Sequence, residues 1–395
     1  MSLDLLEKYS KIVYYCSHCR LCSIANYHLL KDWVPICPSG EYFKFESYFS
    51  SGRMELIRGL LEGELKRTKT ETIMKIAFGC QVCGGCYTQC SDHTALGETQ
   101  EQVETFEDLR TALVDMYGPL NKHQEMADDI AKDHNPYKDS NDNRFNWLEG
   151  KNIPAGAKTI YFAGCTASFR EQEIAKATVN LLETAGQDFS ILGSDEWCCS
   201  SPLLRTGQRK VAMPIIEHNY NILKERGIET IITSCAGCFQ TLKNDYPKFL
   251  GKKLDIKLVH SVEFFRDKIK SGELKLNGKD LKITYHDPCH IARHANIRRA
   301  PRKVIKAIPN LKFEEFQRNQ KNAWCCGAGG GVKKAFGDFA NWTANQRILE
   351  ADKINDLQAI VSTCPFCKSN LKQAVERMGR SYRVMDLTEL LQECL

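Results

Sequence analysis

Thr159-Ile-Tyr-Phe-Ala-Gly-Cys165 is a short apolar run that ends in a cysteine, and an amphipathic helical pattern follows it. The same design recurs in Glu229-Thr-Ile-Ile-Thr-Ser-Cys235, in Lys282-Ile-Thr-Tyr-His-Asp-Pro-Cys289 and in Ala359-Ile-Val-Ser-Thr-Cys364. Apolar runs this short read as strands, and strands alternating with helical patterns imply βαβ units and a largely parallel sheet. The four cysteines then fall at the C-terminal ends of strands, where open α/β sheets place their ligands.

The design is also duplicated. Cys165 corresponds to Cys289, Trp197-Cys198-Cys199 to Trp324-Cys325-Cys326, and Thr233-Ser-Cys235-Ala-Gly-Cys238 to Ser362-Thr-Cys364-Pro-Phe-Cys367, at offsets of 124, 127 and 129 residues. Each copy holds five cysteines, one more than a cubane cluster needs. Adjacent side chains diverge, so a Cys-Cys pair suits a simple tetrahedral site poorly and an opened cluster with bridging thiolates well. Gly327, Gly329 and Gly330 lie in a glycine run after the second pair, where backbone N–H groups can approach cluster sulfurs. Trp197 and Trp324 either shield the sites from water or pack the core.

Working outward, residues up to about 120 have helical periodicity, clear in Leu56–Lys66 and Gln102–Tyr117. They carry Cys16-x2-Cys19-x2-Cys22 with a later Cys37-Pro38, and Cys80-x2-Cys83-x2-Cys86-x3-Cys90. Two-residue spacers let three thiolates converge on one [4Fe–4S] cubane. In two-cluster ferredoxins the fourth cysteine of each run serves the other cluster. That rule gives one cubane with Cys16, Cys19, Cys22 and Cys90, and a second with Cys80, Cys83, Cys86 and Cys37. Two departures stand out: fourteen residues separate Cys22 from Cys37, where the compact run has three, and Ser91 rather than Pro follows Cys90. Zinc is the alternative occupant of paired C-x2-C motifs.

Nineteen cysteines in 395 residues, with no signal-peptide pattern at the N-terminus, fit thiolate ligands in a reducing cytoplasm better than a secreted disulfide scaffold. No window is apolar enough to span a membrane. A net charge of +5 lacks the concentrated basic face of a nucleic-acid binder. No dinucleotide fingerprint is convincing, which places flavin or nicotinamide on another subunit. The segment Arg293–Lys303 offers charge for an anionic thiol or a partner, or reads as a solvated helix start. His286 and His290 flank Cys289 and are candidate proton donors. Cys394 fits no motif and reads as a frayed terminal thiol. The expected fold is α+β overall. It comprises a helical two-cluster ferredoxin-like domain (residues 1–125), a polar linker (126–157), and two repeated α/β modules with parallel sheets (158–270 and 271–395).

The doubled five-cysteine spacing resembles the cysteine-rich (CCG) domain proteins of the heterodisulfide reductase type, in the fused form where a ferredoxin-like part precedes two modules. The resemblance covers about residues 10–380, including Asn135-Pro-Tyr137 and Arg144-Phe-Asn-Trp147. It implies a non-cubane [4Fe–4S] cluster in each module: one on Cys165, Cys198, Cys199, Cys235 and Cys238, the other on Cys289, Cys325, Cys326, Cys364 and Cys367. It further implies that the pair splits a mixed disulfide into two thiols, each cluster capturing one sulfur. Electrons would come from flavin-containing or cytochrome subunits, the latter giving membrane association through a partner. A second implied role is pure electron transfer beside a bifurcating complex (the benzoyl-CoA reductase type included), a lactate or glycolate oxidase, or an electron-transfer flavoprotein. One departure is Ser200, which stands where the motif has glycine.

Overall fold

The computed structural model of the protein describes residues 3–25, 34–67, 70–90 and 102–395. The chain forms two compact units, each assembled from segments distant in sequence. The first gathers Met1–Glu125, Pro202–Arg209 and Arg318–Arg347; the second gathers Met126–Ser201, Lys210–Gln317 and Ile348–Leu395. Both are rich in helix and the second adds parallel strands, so the fold is α+β as the periodicities imply. Among the described residues no helix is long and apolar enough to cross a membrane.

The first unit is helical. Ser50–Leu61, Thr70–Phe78 and Gln102–Tyr117 are its main helices. They bury Met54, Ile57, Leu60, Phe78, Phe106, Leu109 and Leu113 against Leu6, Tyr9, Ile12 and Val13, at about 1.5–3 kcal/mol per large side chain. Helix Thr70–Phe78 runs straight into the Cys80 loop, and its end is buried, so its last carbonyls need donors. Two buried arginines supply them. Arg53 donates to Ile76 O at 3.0 Å and Gly79 O at 2.8 Å. Arg110 donates to Ala77 O at 3.1 Å and Cys80 O at 2.5 Å. The other arm of Arg110 reaches Arg205 O at 2.7 Å and Gly330 O at 2.9 Å. One guanidinium therefore ties the Cys80 loop to the segments that follow the two Cys-Cys pairs.

The second unit holds two parallel sheets. β1 (Thr159–Tyr161), β2 (Thr230–Thr233) and β3 (Lys257–His260) pair in the order β1-β2-β3. β4 (Lys282–Tyr285), β5 (Lys312–Phe313), β6 (Ala359–Ser362) and β7 (Arg383–Asp386) pair in the order β5-β4-β6-β7. The duplication is visible in detail. Tyr161, in β1, bonds through its hydroxyl to Ser234 Oγ after β2, and Tyr285, in β4, bonds to Thr363 Oγ1 after β6, both at 2.8 Å. Lys368 pairs across the modules with Glu171 and within its own module with Glu389, each at 2.9 Å.

Three stretches behave differently from their sequence pattern. Residues 126–157, polar enough to read as a linker, bury Asn135, Arg144 and Trp147; the polar groups of Asn135 and Arg144 are spent on internal hydrogen bonds. In the Arg293–Lys303 segment Arg302 is not solvated: it forks onto Asp287 with two 2.8 Å bonds and also pairs with Glu315. Cys394 is not a frayed thiol. It is 1% exposed, and its carbonyl accepts from Asn277 N at 2.7 Å, which anchors the C-terminal turn.

Ser200 adopts φ 69°, in the left-handed region, as does its counterpart Gly327 at φ 92°. The backbone conformation is the same in both modules, but only Gly327 is also hemmed in: a Cβ there would lie 2.5 Å from Ala340 O and 2.9 Å from Thr343. Left-handed strain of about 1–2 kcal/mol is offset at Ser200 by the smaller entropy of its unfolded chain. Ser200→Gly should therefore change unfolding free energy by no more than about 1 kcal/mol, whereas Gly327→Ser should cost about 2–4 kcal/mol through strain plus overpacking. Equal effects in urea denaturation would contradict this account.

Candidate metal centres

The two cysteine loops of the first unit share one backbone device. A C-x2-C-x2-C loop must curl around its centre, and it does so through left-handed residues at matching positions: His18 (φ 53°) and Arg20 (φ 63°) in one, Val82 (φ 47°) and Gly84 (φ 72°) in the other. A β-branched residue such as Val82 is rarely found there, and such strain concentrates at functional sites.

Cys80, Cys83 and Cys86 line one small pocket, and Cys37 lines it too. Cys37 caps the helix Pro38–Phe43, with Gly40 N donating to its Sγ at 3.5 Å. Val82 N donates to Cys80 Sγ at 3.4 Å. Burial pushes the Cys37 thiol up to about 12, opposed by the Arg53 guanidinium. Burial, then neighbouring Cys22, Cys80, Cys37 and Cys83, push Cys86 well up. Around Cys22, raised by burial, stand Cys37, Cys90, Cys16 and Cys19. Cys37 therefore stands beside thiols of both runs, and Cys90 stands beside Cys22 of the first.

In the second unit the five thiols of the first module converge. Gly164 (φ 75°) turns the chain after β1, and a Cβ there would sit 2.7 Å from Cys238 Sγ. Cys165 follows at the start of helix Cys165–Phe169, and Cys235 precedes helix Ala236–Gln240, which carries Cys238. Cys198 is in hydrogen-bonding contact with Cys165 and Cys199, and Cys238 with Cys199 and Cys235. Cys235 touches Cys364 of the second module as well. These contacts and burial hold Cys198 and Cys238 well above the ordinary thiol range. Cys165 goes the other way, lowered first by the hydrogen bond from Cys198.

The second module is divided between the units: Cys289, Cys364 and Cys367 belong to the second, Cys325 and Cys326 to the first. All five are buried. In the glycine run, Gly327 N donates to Cys325 Sγ at 3.4 Å, while Gly329 and Gly330 lie against the backbone of Gln81 and Cys80. His290 Nδ1 is 3.6 Å from Cys289 Sγ. His286 is buried, and its backbone N–H extends the β4–β6 pairing to Val361 O at 2.8 Å.

The tryptophans differ. Trp324 is 1% exposed, donates to Thr343 O at 2.9 Å and carries Arg318 over its ring at 4.3 Å. Trp197 is stacked between His134 and His218, with centroids 3.6 and 3.5 Å away. Sequence reasoning did not single out those two histidines or Glu196; no motif spacing marks them.

Clustered thiols, mostly buried in the two modules, with backbone N–H groups aimed at sulfur, fit iron–sulfur clusters by the chemistry of the donor set. Comparison with known proteins agrees. The cysteine-rich domain (CCG) family matches residues 159–243 and 283–372. The D-type subunit of the dihydromethanophenazine:CoB–CoM heterodisulfide reductase from Methanosarcina mazei is 38% identical over 84% of this chain and 81% of its own. The chain belongs to this D-type heterodisulfide reductase family. Two other relatives widen the setting. The B-type subunit of the fumarate reductase (CoM/CoB) from Methanothermobacter marburgensis is 32% identical over 80% of this chain and 60% of its own. The EtfAB:quinone oxidoreductase of Syntrophomonas wolfei is 27% identical over 80% and 46%. The chain is accordingly an iron–sulfur oxidoreductase subunit of a heterodisulfide reductase-like system.

Proposed function

We propose that the chain takes electrons in at two cubane [4Fe–4S] clusters and delivers them to two non-cubane [4Fe–4S] clusters, where a small disulfide is reduced to two thiols. The cubane ligands are Cys16, Cys19, Cys22 and Cys90, and Cys37, Cys80, Cys83 and Cys86. The non-cubane ligands are the five cysteines of each module. The observation that carries this reading is the first module's five-thiol convergence, which reaches Cys364 of the second module through Cys235. A disulfide needs two sulfur-binding centres side by side, and that contact supports such a pairing.

When bound, the clusters supply one-electron storage and affinity for sulfur. The chain does the rest. It excludes water, since most of the ten module thiols are buried, and it offers N–H donors to sulfur, which raise reduction potentials. In balance, RS–SR′ plus two electrons and two protons gives RSH and R′SH. His290, beside Cys289, and buried His286 are placed to hand protons to the departing thiolates. Electrons come from a flavin-containing or cytochrome subunit. The similarity to the EtfAB:quinone oxidoreductase supports a second reading, a relay between flavoprotein and another acceptor without disulfide chemistry.

The test is iron and sulfide content with EPR on anaerobically isolated protein, oxidised with and without a small thiol. About sixteen irons per chain, from four [4Fe–4S] centres, with a thiol-dependent paramagnetic signal is the expected result. The same iron without any thiol dependence would favour the relay.

A further inference from the structure

Asn135-Pro-Tyr137 and Arg144-Phe-Asn-Trp147 lie outside the five-cysteine pattern, and electron transfer through the clusters gives them no task. Their geometry gives them one. Arg144 is fully buried, and every arm of its guanidinium is fixed. Nε donates to Asn141 Oδ1 at 3.0 Å, Nη1 to Glu196 Oε1 at 3.1 Å, and Nη2 to His134 O at 3.2 Å. Nη2 has a second partner, Cys165 Sγ, at 3.5 Å. Trp147 Nε1 donates to Arg144 O at 2.9 Å and pins the backbone.

Glu196 orients this guanidinium and the chain leading to Cys165 together. Its carboxylate, also fully buried, accepts from Ala163 N at 3.1 Å and Gly164 N at 2.8 Å. The carbonyl of His134 that Arg144 touches also accepts from Cys198 N at 2.8 Å. One nitrogen of Arg144 thus contacts the Cys165 sulfur and the peptide that holds Cys198. Arg302 of the second module, by contrast, forks onto carboxylates, those of Asp287 and Glu315.

We propose that Arg144 is a positioning residue that raises the reduction potential of the first-module cluster, by holding a charged N–H donor against the Cys165 sulfur. Added electrons make a thiolate-bound cluster more negative, and hydrogen bonds and positive charge at a ligand sulfur favour that state. A charge-assisted donor is about twice as strong as a neutral one. This rests on the cluster assignment proposed above.

The experiment is an EPR-monitored redox titration of the cluster-loaded full chain, with the two module signals assigned by Cys198→Ser and Cys325→Ser. In Arg144→Gln the first-module signal alone should shift down, so that at a fixed poise its reduced-to-oxidised ratio falls about tenfold, ~59 mV for a one-electron couple. Arg144→Lys, which keeps the charge but not the fork, should recover part of the shift. If Arg144→Gln loses the first-module iron, Arg144→Lys should restore it; failure to do so would assign Arg144 to folding alone and overturn the proposal. An unshifted potential, or an equal shift in all clusters, would overturn it too. Fewer than four clusters in the wild type would instead refute the cluster assignment, so the two failures are distinguishable.

Discussion

Cys198→Ser is expected to remove about four of about sixteen irons from the chain and to abolish disulfide reduction while the cubane signals persist. A serine oxygen is a harder and more reluctant ligand than a thiolate, and here it would be buried beside Cys165 and Cys199, the two thiols that contact Cys198. The surviving thiols gain nothing from losing their fifth member: contacts with neighbouring thiols, together with burial, keep Cys238 and Cys235 protonated without a metal, and a ligand set must shed its protons to bind. Cys394→Ser is the natural control, because Cys394 is buried beside the C-terminal turn in no cysteine cluster. Iron and sulfide analysis of both variants settles the point. Unchanged iron in Cys198→Ser would remove that residue from the ligand set.

Arg110→Ala should be the most damaging substitution away from the cysteines. It strips donors from four carbonyls, those of Ala77, Cys80, Arg205 and Gly330. Each buried acceptor left unmet costs about 1–3 kcal/mol. Local relaxation recovers some of that, so a net loss of about 3–5 kcal/mol is expected, a large part of a typical stability of about 5–15 kcal/mol. Thermal unfolding should begin about 10 °C lower, and the cluster on Cys80 should bleach first. Arg110→Lys should rescue little, since an ammonium cannot reach four acceptors in two directions. A melting temperature within about 2 °C of wild type would show that water replaces the guanidinium at those carbonyls.

The parts of this protein that were legible in its sequence are those written in local spacing. The strands that lead to Cys165, Cys235, Cys289 and Cys364 are marked by apolar runs, each ending two to four residues before its cysteine, and the duplicated tyrosine bonds of Tyr161 and Tyr285 follow from that repeat. Gln102–Tyr117 is helical to the residue. What spacing could not convey was charge held inside the fold. Arg53, Arg110 and Arg144 look like surface residues in composition, yet each is at most 1% exposed, because a planar five-donor group can satisfy several carbonyls at once. Likewise, polar residues 126–157 read as a linker because sequence shows hydrophilicity but not the partners that quench it. Cys394 read as frayed for a related reason: nothing in the last residues announces that Asn277 will bind their backbone.

The way each unit borrows from afar sets a schedule for biosynthesis. The unit with the first eight cysteines is finished by Arg318–Arg347, near the end of the chain. Arg110, placed early, must wait for Gly330 before its last acceptor exists. A ribosome therefore cannot release a completed N-terminal domain ahead of the rest, as it can when domains are contiguous. Contacts so distant along the chain also fold slowly. The maturation machinery that inserts iron and sulfide meets a nascent chain whose early thiols stay reachable until translation is nearly over.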